Sequence, residues 1–249
     1  MGIKYLFLDT SNYMYRLYCR ASKDMSDPFQ IFRDEILYIV KSFQEIKTVF
    51  GIDCPRNDNW RKDLYPEYKG TRGEIDPVFS AFKEECLVWL ETNFPTVKYD
   101  KMEADDVIGS LALKYHPCYI STADNDFYQL LDNDKGIYML KPNINGGFSV
   151  FGSDQFKGLY GIRPDQFIDY KALVGDTADN FKGCPRIGKK GAVKLLTKYK
   201  TLENIYTHLV HSNKDLTPQI FKSLQENKEY VYLCKKLATI ITDLPISLE

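Results

Sequence analysis

Short apolar runs alternate with longer segments of helical spacing along the first 160 residues of this 249-residue chain. The runs, which we interpret as strands, are residues 3–8, 48–52, 118–121 and 137–140. The segments between them carry apolar side chains three and four residues apart, as in residues 28–47, 77–93 and 103–115. Alternating strands and helices predict a mostly parallel central α/β sheet with helices on its faces.

Helical patterns dominate the rest of the chain. They cover residues 153–160, 164–174, 189–199, 202–209 and 218–241. We therefore expect an α/β core over residues 1–160 and a helical part over residues 161–249, packed as one compact unit. Hydrophobic residues make up 44% of the chain, which is enough for a core of this size.

Acidic residues follow the strand ends or open the next helix. Ligands of parallel sheets gather outside the carboxyl ends of the strands, so these side chains should meet there. Converging carboxylates repel one another, and divalent cations relieve that repulsion. Oxygen ligands suit Mg²⁺ or Mn²⁺, so we expect two or more ions. The candidate ligands are Asp9, Asp53, Glu103, Asp105, Asp106, Asp124, Asp126, Asp176 and Asp179.

Each acidic cluster also has an ordinary structural explanation. Acidic residues at residues 103–106 favour a helix start, and those at 124–126 and 175–180 favour turns or caps. A single Asp after a strand is often a helix cap. On a helix start, Glu103 and Asp106 share one side while Asp105 diverges, which would suit ligands of two nearby ions. Taken together, these structural explanations would require every cluster to be acidic and to follow a strand by coincidence.

A basic, glycine-punctuated stretch follows the last acidic cluster. Residues 182–200 contain seven Lys or Arg and no acidic residue, in a chain of net charge −1. A helix that begins near Gly188 would point free N–H groups at an anion. This pattern favours a clamp on duplex phosphates that does not read sequence; the alternative is a solvated basic helix face. The candidate DNA-binding residues here are Gly183, Ile187, Gly188, Lys189, Lys190 and Lys194.

Aromatic and basic residues interleave between residues 60 and 72. The cations are Arg61, Lys62, Lys69 and Arg72, and the aromatic residues are Trp60, Tyr65 and Tyr68. Such a segment can stack on splayed bases and hold phosphates. The alternative is an ordinary loop with a packed Trp.

The cysteines and the hydropathy exclude several classes. Six scattered cysteines form no C-x-x-C pair and no zinc-ligand spacing, which fits a reducing compartment. No secretory signal is visible, and no apolar run reaches membrane-spanning length. We expect a cytoplasmic protein with no membrane association.

Four motifs together resemble the flap endonuclease / 5′→3′ exonuclease family, which includes free-standing phage enzymes and the 5′-nuclease domain of bacterial DNA polymerase I. They are Y-P-E-Y-K-G-T-R at 65–72, E-A-D-D at 103–106, S-T-A-D-N-D at 121–126 and G-D-T-A-D-N at 175–180, the last followed by Gly183, Gly188 and Lys189. The resemblance runs from Asp9 to the helix after Gly188. It implies a PIN/5′-nuclease-like fold with an arch near residues 60–85.

The resemblance also implies a function. Family members are metal-dependent hydrolases that remove 5′ flaps and degrade DNA from 5′ ends in replication or repair. Lys69 and Arg72 match basic residues at the arch base, with Tyr68 beside them in contact with DNA, and Arg16 matches an Arg near the scissile phosphate. Residues 167–199 match a helix–three-turn–helix that grips duplex DNA and in several members holds K⁺. The partners implied are 5′-flap, 5′-ended or branched DNA, bound by a monomer.

One departure concerns the arch. The family's arch is often basic, whereas residues 73–85 carry four acidic residues and one Lys, so threading of a 5′ strand stays an open question. Two alternative functions also remain. A PIN-type ribonuclease shares the strand-end carboxylates but lacks the 183–190 clamp. A non-catalytic DNA-binding protein would not need nine carboxylates.

Overall fold

The computed structural model describes residues 2–74, 76–143, 147–211 and 216–248. A six-stranded sheet has the order β3-β2-β1-β4-β5-β6. Neighbouring strands are parallel from β3 to β5, and β6 is antiparallel to β5. The strands are β1 (Tyr5–Asp9), β2 (Lys47–Ile52), β3 (Thr96–Lys98), β4 (Cys118–Ser121), β5 (Ile137–Pro142) and β6 (Phe148–Phe151). The predicted mostly parallel α/β sheet is confirmed.

Helices fill the connections and the last third of the chain. They are α1 (Thr10–Asp24), α2 (Pro28–Ser42), α3 (Trp60–Leu64), α4 (Pro77–Asn93), α5 (Ala104–Lys114), α6 (Ser153–Tyr160), α7 (Phe167–Val174), α8 (Lys189–Tyr199), α9 (Leu202–His211), α10 (Pro218–Glu226) and α11 (Lys228–Ala238). Short 3₁₀ helices cover Asn125–Leu130 and Pro164–Gln166. Among the described residues, no helix combines the length and apolar character that crossing a membrane requires.

The order of the strands explains where a site can form. The chain moves outward from β1 to β2 and β3, and then returns to place β4 and β5 on the other side. The carboxyl ends of β1 and β4 therefore flank the switch point of the sheet, where parallel α/β folds bind ligands. Asp9 is the last residue of β1, Asp53 follows β2, and Asp124 lies three residues after β4.

Alternating side chains on the strands build a core on each face. Leu6 and Leu8 pack with α1, α2 and α4, whereas Phe7 between them joins the core that contains α5. The second core continues into the helical part, where it includes Phe167, Leu196 and other residues of α7 to α11. The sheet and the C-terminal helices are therefore joined by continuous apolar packing.

The end of the chain differs from the sequence prediction. The helix predicted over residues 218–241 is two helices, α10 and α11, and the second ends at Ala238. The following residues, which we call the strap (residues 239–248), are neither helix nor strand and run along α5. Ile240 fits closely on Gly109 of α5, where an added Cβ would lie 2.4 Å from its Cγ2 atom. Glycine at this position allows the strap to approach the helix.

Candidate active site

Four carboxylates gather at the carboxyl edge of the sheet, and we call Asp9, Asp53, Asp105 and Asp124 the open cluster. Asp9 accepts hydrogen bonds from the Asn12 backbone N–H (3.1 Å) and the Thr122 hydroxyl (2.8 Å). Asp53 accepts from the Ala104 N–H at 2.7 Å, which ties the end of β2 to the start of α5. Hydrogen bonds to the first turns of α1 and α5 thus hold Asp9 and Asp53 in this region.

The open cluster contains unneutralised negative charge. None of its four members lies within 4.0 Å of a cationic nitrogen in the ranges that the structure describes. Burial, then the charges of Asp53 and Asp124, raises the pKa of Asp9 to about 7. Burial and the neighbouring carboxylates also raise the pKa of Asp105 and of Asp124. A bound cation would remove this repulsion.

A second group of acids, the paired cluster, consists of Asp126, Asp176 and Asp179 around Lys171. The Lys171 Nζ atom lies 2.5 Å from Asp126, 2.8 Å from Asp176 and 4.0 Å from Asp179. Lys171 is only 4% exposed. Burial alone would raise the pKa of Asp176, but Lys171 outweighs it and lowers the value. Burial still raises the pKa of Asp179 to about 6, so one lysine offsets the charge of the three acids only in part.

Lys171 is not among the predicted site residues. Its position on α7, between Tyr170 and Ala172 in a mostly apolar stretch, was the available signal. A buried lysine is costly unless an acid pairs with it, so its presence on a buried helix face predicts an acidic partner elsewhere in the fold.

Lys69 lies between the two clusters. Its Nζ atom is 2.5 Å from Glu103 Oε1 and 3.9 Å from Asp179 Oδ1, and its side chain is 16% exposed. Its backbone is left-handed, with φ of 54°, and its N–H donates to the Asp179 carbonyl. Burial would raise the pKa of Glu103, but Lys69 and then Arg61 lower it to about 2. Glu103 thus holds the Lys69 ammonium in place at this edge of the sheet.

The two predicted arginines lie at the margins. Arg72 is half exposed, with its guanidinium 3.7 Å from Asp179. Arg16 stacks on the Tyr13 ring at 4.6 Å. It lines a groove of about 470 Å³ along α1, together with Arg20 and Lys23. Asn12 and Ala123 form the end of this groove next to the open cluster.

Asp106 lies away from the open cluster. It is fully buried, and Arg61 binds both its oxygens at 2.7 and 2.8 Å. The Trp60 indole N–H and the Ile241 backbone N–H complete its shell at 3.1 and 2.9 Å. A carboxylate offers about four acceptor positions, so Asp106 has none left for a metal. Glu103 and Asp106 do share one side of α5, as predicted, but that side faces Arg61.

Two aromatic residues of the 60–72 segment, Tyr68 and Trp60, donate hydrogen bonds to acids inside the protein. Tyr68, predicted to contact DNA, is 2% exposed and donates its hydroxyl to Glu103 at 3.0 Å. Trp60 is held by its bond to Asp106. Both rings are occupied inside the protein because the segment supplies partners for buried acids.

The predicted phosphate clamp divides into exposed and buried residues. Lys189, Lys190 and Lys194 are exposed on α8, and no side chain caps the first turn of this helix, which begins after Gly188. The two other candidates, Gly183 and Ile187, are buried. An added Cβ on Gly183 would lie 2.3 Å from the Gly175 nitrogen. These two residues support the turn beneath the clamp because they pack against the end of α7 and the core.

The acidic side chains differ in how well they could bind metal ions. In the described part of the chain, no three His, Cys, Asp or Glu side chains are arranged as ligands of one ion. Glu103 and the paired cluster are bonded to lysines or Arg61 instead. The open cluster nevertheless fits a hard divalent cation, since it consists of carboxylates with no protein counter-charge within ion-pair distance in the described ranges.

Two family models match the chain. The model for the 5′-3′ exonuclease N-terminal resolvase-like domain covers residues 4–161, and that for the 5′-3′ exonuclease C-terminal SAM fold covers residues 162–249. A 5′-3′ exonuclease of Mycoplasmopsis pulmonis is 30% identical over 99% of this chain and 83% of its own length. DNA polymerase I of Caldicellulosiruptor bescii is 35% identical over 76% of this chain, which corresponds to 22% of the polymerase.

Solved structures share the fold. A phage T5 5′-exonuclease with bound zinc ions has a TM-score of 0.79 at 21% identity and covers 96% of this chain and 90% of its own. A complex of the phage T5 flap endonuclease with DNA and metal ions has a TM-score of 0.76 at 20% identity, with 96% and 89% covered. The family resemblance seen in the motifs is confirmed: the chain belongs to the 5′-3′ exonuclease family and is a nuclease.

Proposed function

We propose that this nuclease hydrolyses DNA phosphodiester bonds at 5′ ends, 5′ flaps and branch points, with divalent cations bound at the open cluster. The observation that carries the proposal is the set of four converging carboxylates, which have no cationic partner within ion-pair distance in the described ranges, beside the partly buried cation Lys69. The T5 structures, which contain metal ions and in one case DNA, support it.

Asp9, Asp53, Asp105 and Asp124 would hold the ions. Bound Mg²⁺ or Mn²⁺ would supply an activated water and neutralise charge on the phosphate. Asp106 is left out of this set because its four acceptor positions are filled. The paired cluster would take a second ion only by displacing Lys171 from Asp126, Asp176 and Asp179.

The chain's own cations would act on the substrate. Lys69 would offset the negative charge that develops on the phosphate, because it is fixed beside the open cluster by Glu103. Arg16 and Arg72 would bind flanking phosphates from opposite margins of the site. Lys189, Lys190 and Lys194 would grip the duplex through its phosphates, independent of sequence. K⁺ at the α7–α8 turn, a monomeric state and a cytoplasmic location stay predictions.

A labelled substrate tests the proposal. A 5′-labelled flap DNA, and a linear RNA of the same sequence, are incubated with Mg²⁺ or with EDTA, and the products are sized. We expect short 5′ products cut near the flap junction with Mg²⁺, and none in EDTA or with Asp105→Asn. Turnover that persists in EDTA would contradict the metal dependence. A preference for the linear RNA would favour the PIN-type ribonuclease.

A further inference from the structure

The Arg61 guanidinium is buried at a junction of three chain segments. It is 3% exposed and comes from α3. Its Nε–H donates to the Leu237 carbonyl at 2.9 Å. Nη1 donates to Glu103 (3.1 Å) and to Asp106 (2.7 Å), and Nη2 donates to Asp106 (2.8 Å) and to the Thr239 carbonyl (2.7 Å). All five N–H donors of this side chain therefore have partners.

Asp106, the main partner of Arg61, lies in the first turn of α5, directly after the open-cluster residue Asp105. Successive residues on an α-helix point about 100° apart. Fixing Asp106 at four points therefore fixes the rotation of α5 about its axis. That rotation decides the direction in which Asp105 points.

The strap closes this arrangement from the other side. The Ile241 N–H donates to Asp106, and the Leu244 N–H donates to the Ser110 hydroxyl on α5 at 3.2 Å. The single proton of that hydroxyl faces two carbonyls, that of Asp106 in its own helix at 2.8 Å and that of Ile241 in the strap at 3.1 Å. Further along α5, Lys114 donates to the Ile246 carbonyl at 2.9 Å. The strap follows α11, so the helical part of the chain holds the helix that carries Asp105.

Stability alone does not account for such a network. A buried ion pair is often no more stabilising than apolar residues of the same volume, because both charges lose their hydration. A fully satisfied polar network does, however, restrict the side chains to one arrangement. Arg61 also shares Glu103 with Lys69, so the same guanidinium sets the position of the carboxylate that holds Lys69.

We infer that Arg61 is a positioning residue of this nuclease: through Asp106, and together with the strap, it sets the rotation of α5 and so aims Asp105 into the open cluster. This inference rests on the proposed metal-binding function of that cluster. Loss of the planar Arg61 guanidinium, whose fork of two nitrogens binds both Asp106 oxygens, should weaken metal binding more than DNA binding. A lysine at residue 61 keeps the charge but has fewer donors and no fork.

Mn²⁺ titration of the DNA-free protein by calorimetry tests the inference. Arg61→Lys should weaken Mn²⁺ binding about 10-fold, the usual loss when a partner that orients a ligand is removed. The KM for flap DNA should stay within about twofold of wild type, and kcat lost at low Mn²⁺ should recover at saturating Mn²⁺. Ser110→Ala, a milder change, should weaken Mn²⁺ binding roughly threefold, the equivalent of one neutral hydrogen bond.

A matched control separates positioning from general stability. Lys235→Met removes a partly exposed cation whose Nζ atom lies 2.7 Å from both Asp169 of α7 and Glu203 of α9, and which forms no ion pair with α5 in the described ranges. It should lower the melting temperature and leave Mn²⁺ affinity unchanged. Equal Mn²⁺ affinity in wild type and both test variants would overturn the inference, as would an equal loss in Lys235→Met. If wild type binds no Mn²⁺, or Asp105→Asn binds it normally, the proposed function itself fails.

Discussion

Two neighbouring acids on α5 should respond in opposite ways to the same substitution. Asp106→Asn keeps the shape of the side chain but turns one acceptor oxygen into an NH₂ group among four donors. Hydrogen bonds to charged groups contribute about 1.5–3 kcal/mol each, and two of the four come from Arg61. Removing one partner of a buried ion pair costs about 3–5 kcal/mol. We expect the free energy of unfolding to fall by about that amount.

Asp105→Asn should not destabilise the metal-free protein. Asp105 has no ion pair within the described ranges, and burial together with Asp124 and Asp9 raises its pKa. Its ionised form is therefore disfavoured in the folded state, and an uncharged side chain of the same shape removes that repulsion. We expect the free energy of unfolding in EDTA to be equal to or higher than that of wild type, while Mn²⁺ binding is lost.

Thermal and urea unfolding in EDTA, combined with Mn²⁺ titration, give both quantities. For a chain of this size, 1 kcal/mol corresponds to roughly 2–4 °C in Tm. The Tm of Asp106→Asn should therefore fall by roughly 6–20 °C, with residual Mn²⁺ binding measured well below it. A normal Tm with complete loss of Mn²⁺ binding in Asp106→Asn would show that Asp106 is a ligand after all. Equal destabilisation by both variants would refute the division of roles.

Three further predictions concern the substrate and the pH. Lys69→Ala should lower the single-turnover rate on flap DNA roughly 10²–10³-fold with little change in substrate affinity; weaker binding with a near-normal rate at saturation would assign Lys69 to flap binding. The double variant Lys189→Ala and Lys190→Ala should reduce the slope of log affinity against log salt by about 0.9 per lost phosphate contact, whereas Lys41→Ala on the exposed side of α2 should leave it unchanged. Because the pKa of Asp9 is raised from 3.8 to about 7 in the fold, the folded state binds more protons than the unfolded state between these values. The contribution of Asp9 to the free energy of unfolding in EDTA should therefore fall as pH rises from about 4 to about 7, by at most roughly 4 kcal/mol at 1.36 kcal/mol per pH unit. Saturating Mg²⁺ should abolish this fall, and a fall that persists would place the ions elsewhere.

Local sequence patterns were sufficient for the sheet and for the acids at its edge. The apolar runs end where the strands end, so Asp9, Asp53 and Asp124 could be placed at one edge from topology alone. The edge strands β3 and β6 were missed because their side chains are only partly buried or exposed, so neither segment reads as a continuous apolar run. Helical spacing over residues 103–106 also predicted that Glu103 and Asp106 lie on the same side of the helix.

The partners of these acids could not be predicted in the same way. Arg61 and Asp106 are 45 residues apart, and so are Asp126 and Lys171. Periodicity reports which residues share a face, but it does not report which distant segment packs on that face. For the same reason Tyr68 was read as an exposed stacking residue, although its hydroxyl is bound to Glu103 inside the protein. A glycine at residue 183 could allow either DNA or another part of the backbone to come close. Only the packing in the structure distinguishes these two explanations.

The distribution of cations among the nine acids matters more for function than their number. Lys69 and Arg61 are ion-paired with Glu103 and Asp106, and Lys171 partly offsets the three acids of the paired cluster from within the chain. The fold leaves the four acids of the open cluster without such a partner in the described ranges, and these lie around the switch point of the sheet. Binding of a divalent ion is most favourable where protein cations are absent, because elsewhere the ion must displace a bonded lysine or arginine. Under the proposed function, the internal cations would thus favour metal ions at the open cluster and leave Lys69 beside it to meet the phosphate.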